Sequence, residues 1–418
     1  MSKKRLKVIH IMSSPPAYDA YSNSPRPFIN FDTPNGQWVG IWGYDWPNVL
    51  AQEVFKVNKS IDFEVWQPDL RADKIYSHTF EQGFTHKLFP AKYKKIVWGL
   101  KLKSVVVSEE IIKAIIQDKT IVINLHGSPS AFKEILKIAK NIKLVHTFHG
   151  VIYFPQKDIF KFRKNFLASV NYVKEYLFLK KHINNIDLCT YMNKVNLSDL
   201  TSIFKGKIQN LTMGVDFDIW RPTLDKSIAK SKYNLKNETF VLTSVSRLIP
   251  LKQLDKVITI LNQIEEKEDF DFILFIGGNG NDAYLDYLKE LSKDLRKKGK
   301  IKFLGYLNNQ EVLDLYHATD LFMLSSTNEG CSVSVMKAMA CQLPVFTTEV
   351  GHTAEVLKQE KAGVVVSVDN YSSWEEKLIE ILKGKQPVKL NIDIAHNHYD
   401  WNSIAKKFND IYQSLENN

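Results

Sequence analysis

The sequence predicts an α/β protein made of two doubly wound, parallel-sheet domains. Three observations carry that expectation. Short β-branched apolar runs alternate with stretches of helical period along the chain, the pattern of parallel strands covered by helices on both faces. The 418 residues exceed one ordinary core, at roughly 100–200 residues per domain. A segment rich in turn formers and polar residues, MGVDFDIWRPTLDKS (213–227), interrupts the alternation midway. The expected domains are 1–220 and 221–395, with a closing helical segment at 396–418.

The strands follow from the apolar runs. In the first half they are LKVIHIM (6–12), IDFEVWQ (61–67), TIVINLHG (120–127), KLVHTFHG (143–150) and DLCTYMN (187–193). In the second half they are ETFVLTSVSRL (238–248), DFILFIGGNG (271–280), IKFLGYL (301–307), DLFMLSS (320–326) and LPVFTTE (343–349). Helical period marks NVLAQEVFKV (48–57), DAYLDYLKELSKDLRKK (282–298), NQEVLDLYHAT (309–319) and the amphipathic WNSIAKKFNDIYQSL (401–415). Residues 13–45, rich in Ser, Pro, Gly and Asn, read as a long loop, and loops of that length usually have a function.

Composition excludes several classes. No apolar run approaches the roughly 20 residues needed to cross a bilayer. The basic start MSKKRLKVIHIM reads as a leader into a first strand, since His10 breaks its apolar run. Three cysteines with no CxxC spacing argue against a disulfide scaffold and for a reducing, cytoplasmic setting. The net charge of +10 is unevenly spread. Residues 1–220 hold 31 Lys and Arg against 19 Asp and Glu, a net of +12; the remainder is slightly acidic. The first half is therefore suited to an anionic partner. KYKKIVWGLKLK (92–103) and FKFRKNFLASVNYVKEYLFLKKH (160–182) mix cations with aromatics. They read either as basic amphipathic helices for an anionic membrane surface or as helices with one core face.

The chemistry concentrates in the second half. Arg247 closes a strand and Lys252 follows at a helix start, at the strand end where open α/β sheets bind ligands. A fork of donors and a point charge suit a diphosphate, though taken alone the two residues read rather as a solvated cation pair on a strand-to-helix loop. Gly277, Gly278 and Gly280 make a tight strand-to-helix turn that permits close backbone approach. In NEGCSVSVMKAMACQLP (328–344), Glu329 precedes a short helix. The backbone N–H groups of Gly330, Cys331, Ser332 and Val333 lie at its start, where an anion is favoured. Taken alone, Glu329 reads rather as an ordinary first-turn acid that favours the helix dipole.

The ordered series SRLIPLK, FIGGNG, IKFLGYLNNQEVLDLYHATDLFMLSSTNEG and KAMACQLPVFTTEVGHTAEVL resembles the GT-B glycosyltransferases of the retaining nucleotide-sugar family 4. LVHTFHG and DLCTYMN in the first half fit as well. The resemblance implies two Rossmann-like domains facing across a cleft, with a C-terminal helix crossing back to the N-terminal domain. It implies transfer of a sugar from a nucleoside diphosphate to an acceptor hydroxyl, with retention, in surface polysaccharide or glycolipid biosynthesis. By this correspondence Arg247 and Lys252 hold the donor diphosphate, and the amides of Gly330, Cys331, Ser332 and Val333 meet a phosphate. Glu329 contacts sugar hydroxyls, Tyr306 and Gly278 line the donor site, and His149 lies near the reacting centre. His126 is a similar candidate on the acceptor side, with Trp42 and Gly43 on the long loop. No metal or other cofactor is expected.

One position departs from the family pattern. Its second acid, eight residues after the first, is here Lys337, two turns along the same helix face. A lysine donates to ribose oxygens but cannot accept from them. It contacts the nucleotide in another way, reaches solvent, or marks lost turnover. The expected setting is cytoplasmic, peripheral at the inner face of the plasma membrane, with an acceptor glycan or lipid-linked glycan. The alternative is a non-catalytic or DNA-directed protein of the same architecture.

Overall fold

The structure is a computed structural model that describes residues 5–13, 28–34, 36, 38–42, 46–96, 99–104, 121–127, 132–149, 176–385 and 392–416. The chain forms two compact units. The first runs Met1–Leu211 and includes Trp401–Asn418; the second is Thr212–Asp400.

The strands described in the first unit are β1 (Lys7–Met12), β2 (Phe28–Asp32), β3 (Trp38–Trp42), β4 (Asp62–Asp69), β5 (Tyr76–Thr79), β6 (Thr85–Ile96), β7 (Gly99–Ser104), β8 (Ile121–His126), β9 (Lys143–Thr147), β10 (Leu188–Tyr191) and β11 (Lys207–Asn210). Its main sheet has the order β11-β10-β9-β8-β1-β4-β6-β5, with β7 on β6. From β1 the sheet grows one way through β4 and the other way through β8, so the topology reverses between β1 and β8. Ligands of open α/β sheets bind outside the carboxyl ends of strands at such a reversal. All six residues of β8 are buried, as in a strand covered on both faces. Helices α1 (Trp46–Val57), α2 (Lys133–Ile138) and α3 (Lys194–Ile203) also belong to this unit. The C-terminal helix, Trp401–Glu416, buries Trp401, Ile404, Ala405, Phe408, Ile411, Tyr412 and Leu415. That stripe at helical spacing packs against α1 and β8.

Two sequence expectations change here. Part of the 13–45 loop is the antiparallel hairpin β2–β3, paired from Phe28↔Trp42 to Asp32↔Trp38. Residues 92–96 and 99–103 are not a basic helix but lie in an antiparallel ribbon, with Lys92 opposite Lys103 and Lys94 opposite Lys101. The physical reason is periodicity: lysines at 92 and 94 and at 101 and 103 recur every second residue, the spacing of one strand face. In 160–182, residues 176–182 are helical, and 160–175 lie outside the described residues.

The second unit has one parallel sheet of β12 (Phe240–Val245), β13 (Phe272–Gly277), β14 (Ile301–Gly305), β15 (Leu321–Leu324), β16 (Val345–Thr348) and β17 (Val364–Val366). Its order is β14-β13-β12-β15-β16-β17, so the reversal falls between β12 and β15. Its helices are α4 (Lys226–Ser231), α5 (Leu254–Lys267), α6 (Asp282–Leu291), α7 (Lys293–Lys297), α8 (Asn309–Ala318), α9 (Val333–Ala340), α10 (Gly351–Gln359), α11 (Tyr371–Leu382) and α12 (Ile392–Tyr399). The single helix expected over 282–298 divides at Ser292, whose hydroxyl donates to the Leu288 carbonyl at 2.7 Å and so competes with helical bonding. A capping box of Asn308 and Glu311 starts α8. The Val215 N–H donates to the Tyr399 carbonyl at 2.9 Å, and Trp220 joins the Tyr316–Phe322 core. Residues 213–220 therefore pack with the second unit.

Candidate functional site

Two polar clusters stand at the two topological reversals, one in each unit. In the second unit the chain leaves β12 through Ser246 and Arg247, makes a 3₁₀ turn at Pro250–Lys252 and enters α5. Hydrogen bonds fix that turn to the end of β15. The Ser325 hydroxyl donates to the Lys252 carbonyl at 2.6 Å, and the Thr327 N–H donates to the Leu251 carbonyl at 2.9 Å. Lys252 Nζ then reaches Glu329 Oε1 at 2.5 Å, both side chains being 12% exposed. The Ser326 hydroxyl donates to the same carboxylate oxygen at 2.6 Å. The two strand ends are thus bridged by a largely buried ion pair.

Arg247 lies on the same loop and is exposed. The glycines explain how its loop is held. Gly278 has φ +133°, and a Cβ there would sit 1.8 Å from the Ser246 carbonyl oxygen. A Cβ on Gly280 would sit 2.2 Å from that of Leu248. Their first role is to let the 277–281 turn lie against the 246–248 loop, which it meets through Leu248 N–H to the Asn279 carbonyl at 2.9 Å. Tyr306, half-buried, follows the positive-φ Gly305 at the end of β14.

The α9 helix begins at Val333 with Ser332 as N-cap. Cys331 is half-buried, its thiol 3.5 Å from the Met336 sulfur, and burial pushes its pKa up to about 12. It is therefore a neutral thiol rather than a nucleophile. Val333 is exposed. Gly351 admits the turn beside Glu329: a Cβ there would lie 2.7 Å from Glu329 Cβ.

Lys337 is engaged by protein groups. Its Nζ stands 4.2 Å from the Trp220 ring centroid and donates to Asn309 Oδ1 at 3.2 Å. Trp220 and Asn309 carried no sequence signal as partners of Lys337, because both are distant along the chain.

The first unit gathers histidines at its own reversal. His126 ends β8, and His149 follows β9 by two residues. His126 Nδ1 is 2.7 Å from His149 Nε2, and His126 Nε2 is 2.9 Å from His10 Nδ1. His10 Nε2 in turn is 2.6 Å from the Tyr412 hydroxyl. Asn124 Nδ2 donates to that hydroxyl at 3.0 Å, and the Thr147 hydroxyl donates to Asn124 Oδ1 at 2.8 Å. Trp46 packs over the outer pair, 4.4 Å from His149 and 5.1 Å from His126 between ring centroids. Burial holds His10 and His149 at about 3 and His126 well below its usual value, so all three are neutral at pH 7. His149 is the outermost, half-buried member. Gly127, with φ +117°, makes room for Ser13: a Cβ there would meet its hydroxyl at 1.8 Å. Trp42 ends β3, and Gly43 lies outside the described residues. The sequence pointed to His126 and His149 but missed the inner links. His10 was visible only as a polar break in an apolar strand.

Residues 225–401 match the family model for glycosyl transferases group 1. A GDP-mannose-dependent monoacylated alpha-(1-6)-phosphatidylinositol monomannoside mannosyltransferase of Corynebacterium glutamicum is 29% identical over 251 residues, 56% of this chain and 64% of that protein. The phosphatidylinositol N-acetylglucosaminyltransferase GPI3 subunit of Saccharomyces cerevisiae is 23% identical, over 72% of this chain and 65% of that one. The match thus spans just under two thirds of these relatives' length. Among solved structures, sucrose-phosphate synthase from Thermosynechococcus elongatus superposes with a TM-score of 0.71 at 14% identity, over 98% of this chain and 99% of that one. Anabaena Alr3699/HepE in complex with UDP gives 0.65 at 14% identity, over 98% and 100%. The chain therefore has the GT-B fold, and its residues 225–401 are similar to the glycosyl transferases group 1 family.

Proposed function

We propose that the chain is a retaining glycosyltransferase that moves a sugar from a nucleoside diphosphate to an acceptor hydroxyl on a glycolipid or lipid-linked glycan, in surface polysaccharide or glycolipid synthesis. The observation that carries this reading is the Lys252–Glu329 pair at the β12/β15 reversal, with Arg247 on the same loop. In this reading Lys252 and Arg247 take the charge that grows on the departing diphosphate, helped by the amides of residues 330–333. Glu329 accepts hydrogen bonds from the sugar hydroxyls, and Tyr306 lies along the nucleotide. The bond from the anomeric carbon to the diphosphate breaks, and the bond to the acceptor oxygen forms on the same face. The acceptor proton leaves with the diphosphate. His149 serves the transferring sugar as a hydrogen-bonding group.

Among the described residues no three His, Cys, Asp or Glu side chains gather as a metal site. We assign the diphosphate charge to Arg247 and Lys252 on the strength of the Lys252–Glu329 pair and its place at the strand reversal. Two relatives carry phosphatidylinositol in their names, which supports a lipid acceptor. The lysines paired across β6–β7 support an anionic surface as the meeting place. No helix among the described residues is long and apolar enough to cross a membrane.

The test is turnover of nucleotide sugars with the product's anomeric configuration read by NMR. Arg247→Ala is expected to lower the rate by about 10²–10³, the scale of losing one transition-state donor. Near-normal turnover in that variant, an inverted product, or activity abolished by chelator and restored by manganese would overturn the assignment. A salt-sensitive DNA complex without sugar transfer would favour the DNA-directed alternative.

A further inference from the structure

The chain His149–His126–His10–Tyr412 is a line of hydrogen bonds, and a line has a direction. We infer that Tyr412 of the C-terminal helix, oriented by Asn124, sets which nitrogen of His149 carries its proton. Tyr412 is thus a positioning residue, acting on His149 through His126 and His10. The inference rests on the proposed role of His149 only for its effect on turnover.

The argument is a count of protons. His10, Tyr412 and Asn124 are 0% exposed, His126 1% and Thr147 2%, so water does not replace a missing partner. Burial keeps each imidazole neutral, with one N–H and one bare nitrogen apiece. Each contact in the line therefore holds a single proton, and the line runs either outward or inward as a whole.

Asn124 chooses between them. Its Oδ1 accepts from Thr147, which leaves its amide N–H to donate to the Tyr412 oxygen. The phenol oxygen is then an acceptor towards Asn124, and its own proton needs another acceptor. His10 Nε2, 2.6 Å away, takes it. His10 is then protonated on Nδ1 and donates to His126 Nε2. His126 is protonated on Nδ1 and donates to His149 Nε2. His149 is left with its proton on Nδ1 and its Nε2 tied inward.

The chemical consequence is specific. Nδ1, the nitrogen outside the line, is an N–H donor, suited to an oxygen of a sugar or phosphate. It is not a base. A ligand that needs an acceptor from His149 would have to reverse three coupled tautomers together, two of them buried.

The test is ¹⁵N NMR of the full chain labelled in histidine, since the two neutral tautomers give distinct nitrogen shifts. The expected result is Nδ1–H for His10, His126 and His149. Asn124→Asp puts an acceptor where the amide donor stood. Tyr412 then turns its proton to the new carboxylate, and all three histidines should change to Nε2–H. Tyr412→Phe, the milder variant, removes the end donor and should leave His149 a mixture of tautomers. In turnover, Tyr412→Phe should lower kcat in proportion to the Nδ1–H population lost, about twofold for an even mixture, and should add no further loss to His149→Ala. Nε2–H tautomers in the parent protein, or an unchanged His149 tautomer in Tyr412→Phe, would overturn the inference. Normal turnover in His149→Ala would instead remove the role of His149 in transfer and leave the tautomer result standing.

Discussion

The Lys252–Glu329 pair separates stability from function in one set of variants. At 2.5 Å, two unit charges attract by roughly 6–7 kcal/mol at an effective dielectric of 20. Desolvation offsets much of that. Truncating one partner is different, because it leaves the other charge largely buried and unpaired. With both side chains 12% exposed, Lys252→Met should cost about 3 kcal/mol, the low end for a buried pair. The low end applies because Ser326 still donates to Glu329. At about 2–4 °C per kcal/mol for a unit of this size, the melting temperature should fall by about 6–12 °C. Glu329→Gln should cost a similar amount. The double variant carries neither charge and should recover about 2 kcal/mol of the summed loss. Transfer activity should not recover, since both groups are assigned to the donor. The assay is a double-mutant cycle by urea unfolding, with turnover on the same samples. Single costs below 0.5 kcal/mol that simply add would refute the buried-pair reasoning. Restored turnover in the double variant would refute the functional one.

Three further outcomes are expected. Lys337→Met should lower stability by about 1 kcal/mol through loss of its contact with Trp220, yet change nucleotide affinity less than threefold; a tenfold loss would make Lys337 a ligand. His10, His126 and His149 have folded pKa values below the unfolded 6.5, so the unfolded chain binds more protons and stability falls as pH drops from 6.5 towards 3. His10 and His126 alone should give a slope of about 2.5 kcal/mol per pH unit near pH 5.5, and urea midpoints that stay flat between pH 6.5 and 5 would contradict it. Replacing Lys92, Lys94, Lys101 and Lys103 with Ser should abolish salt-sensitive binding to phosphatidylserine vesicles, at about 1 kcal/mol per lysine; equal binding of the parent protein to neutral vesicles would end that idea.

The sequence was most legible where local rules and the tertiary fold agree. FILFIG and IVINLH read as strands because both faces are covered, which makes the whole run apolar. The second sheet's reversal point was legible through Arg247, Lys252 and Glu329, which lie just beyond strand ends. The β6–β7 ribbon was not legible as strands, because its cations and aromatics masked an alternation of period two. Nor was the histidine line. His10, Asn124 and Tyr412 come from two strands and the C-terminal helix, and only the sheet order β8-β1 brings them together. Lys337 shows the same limit: its place on the helix face could be read from spacing, but its partners Trp220 and Asn309 could not.

The first unit takes its C-terminal helix from residues 401–416. On a ribosome, about 190 residues of the second unit emerge in between. At 5–20 residues per second this is a delay of about 10–40 s, during which α1 and β8 lack the helix that buries them. The earlier-made unit is therefore the later to mature. A nascent chain stalled before residue 401 would expose that apolar seam to chaperones while its younger neighbour already folds.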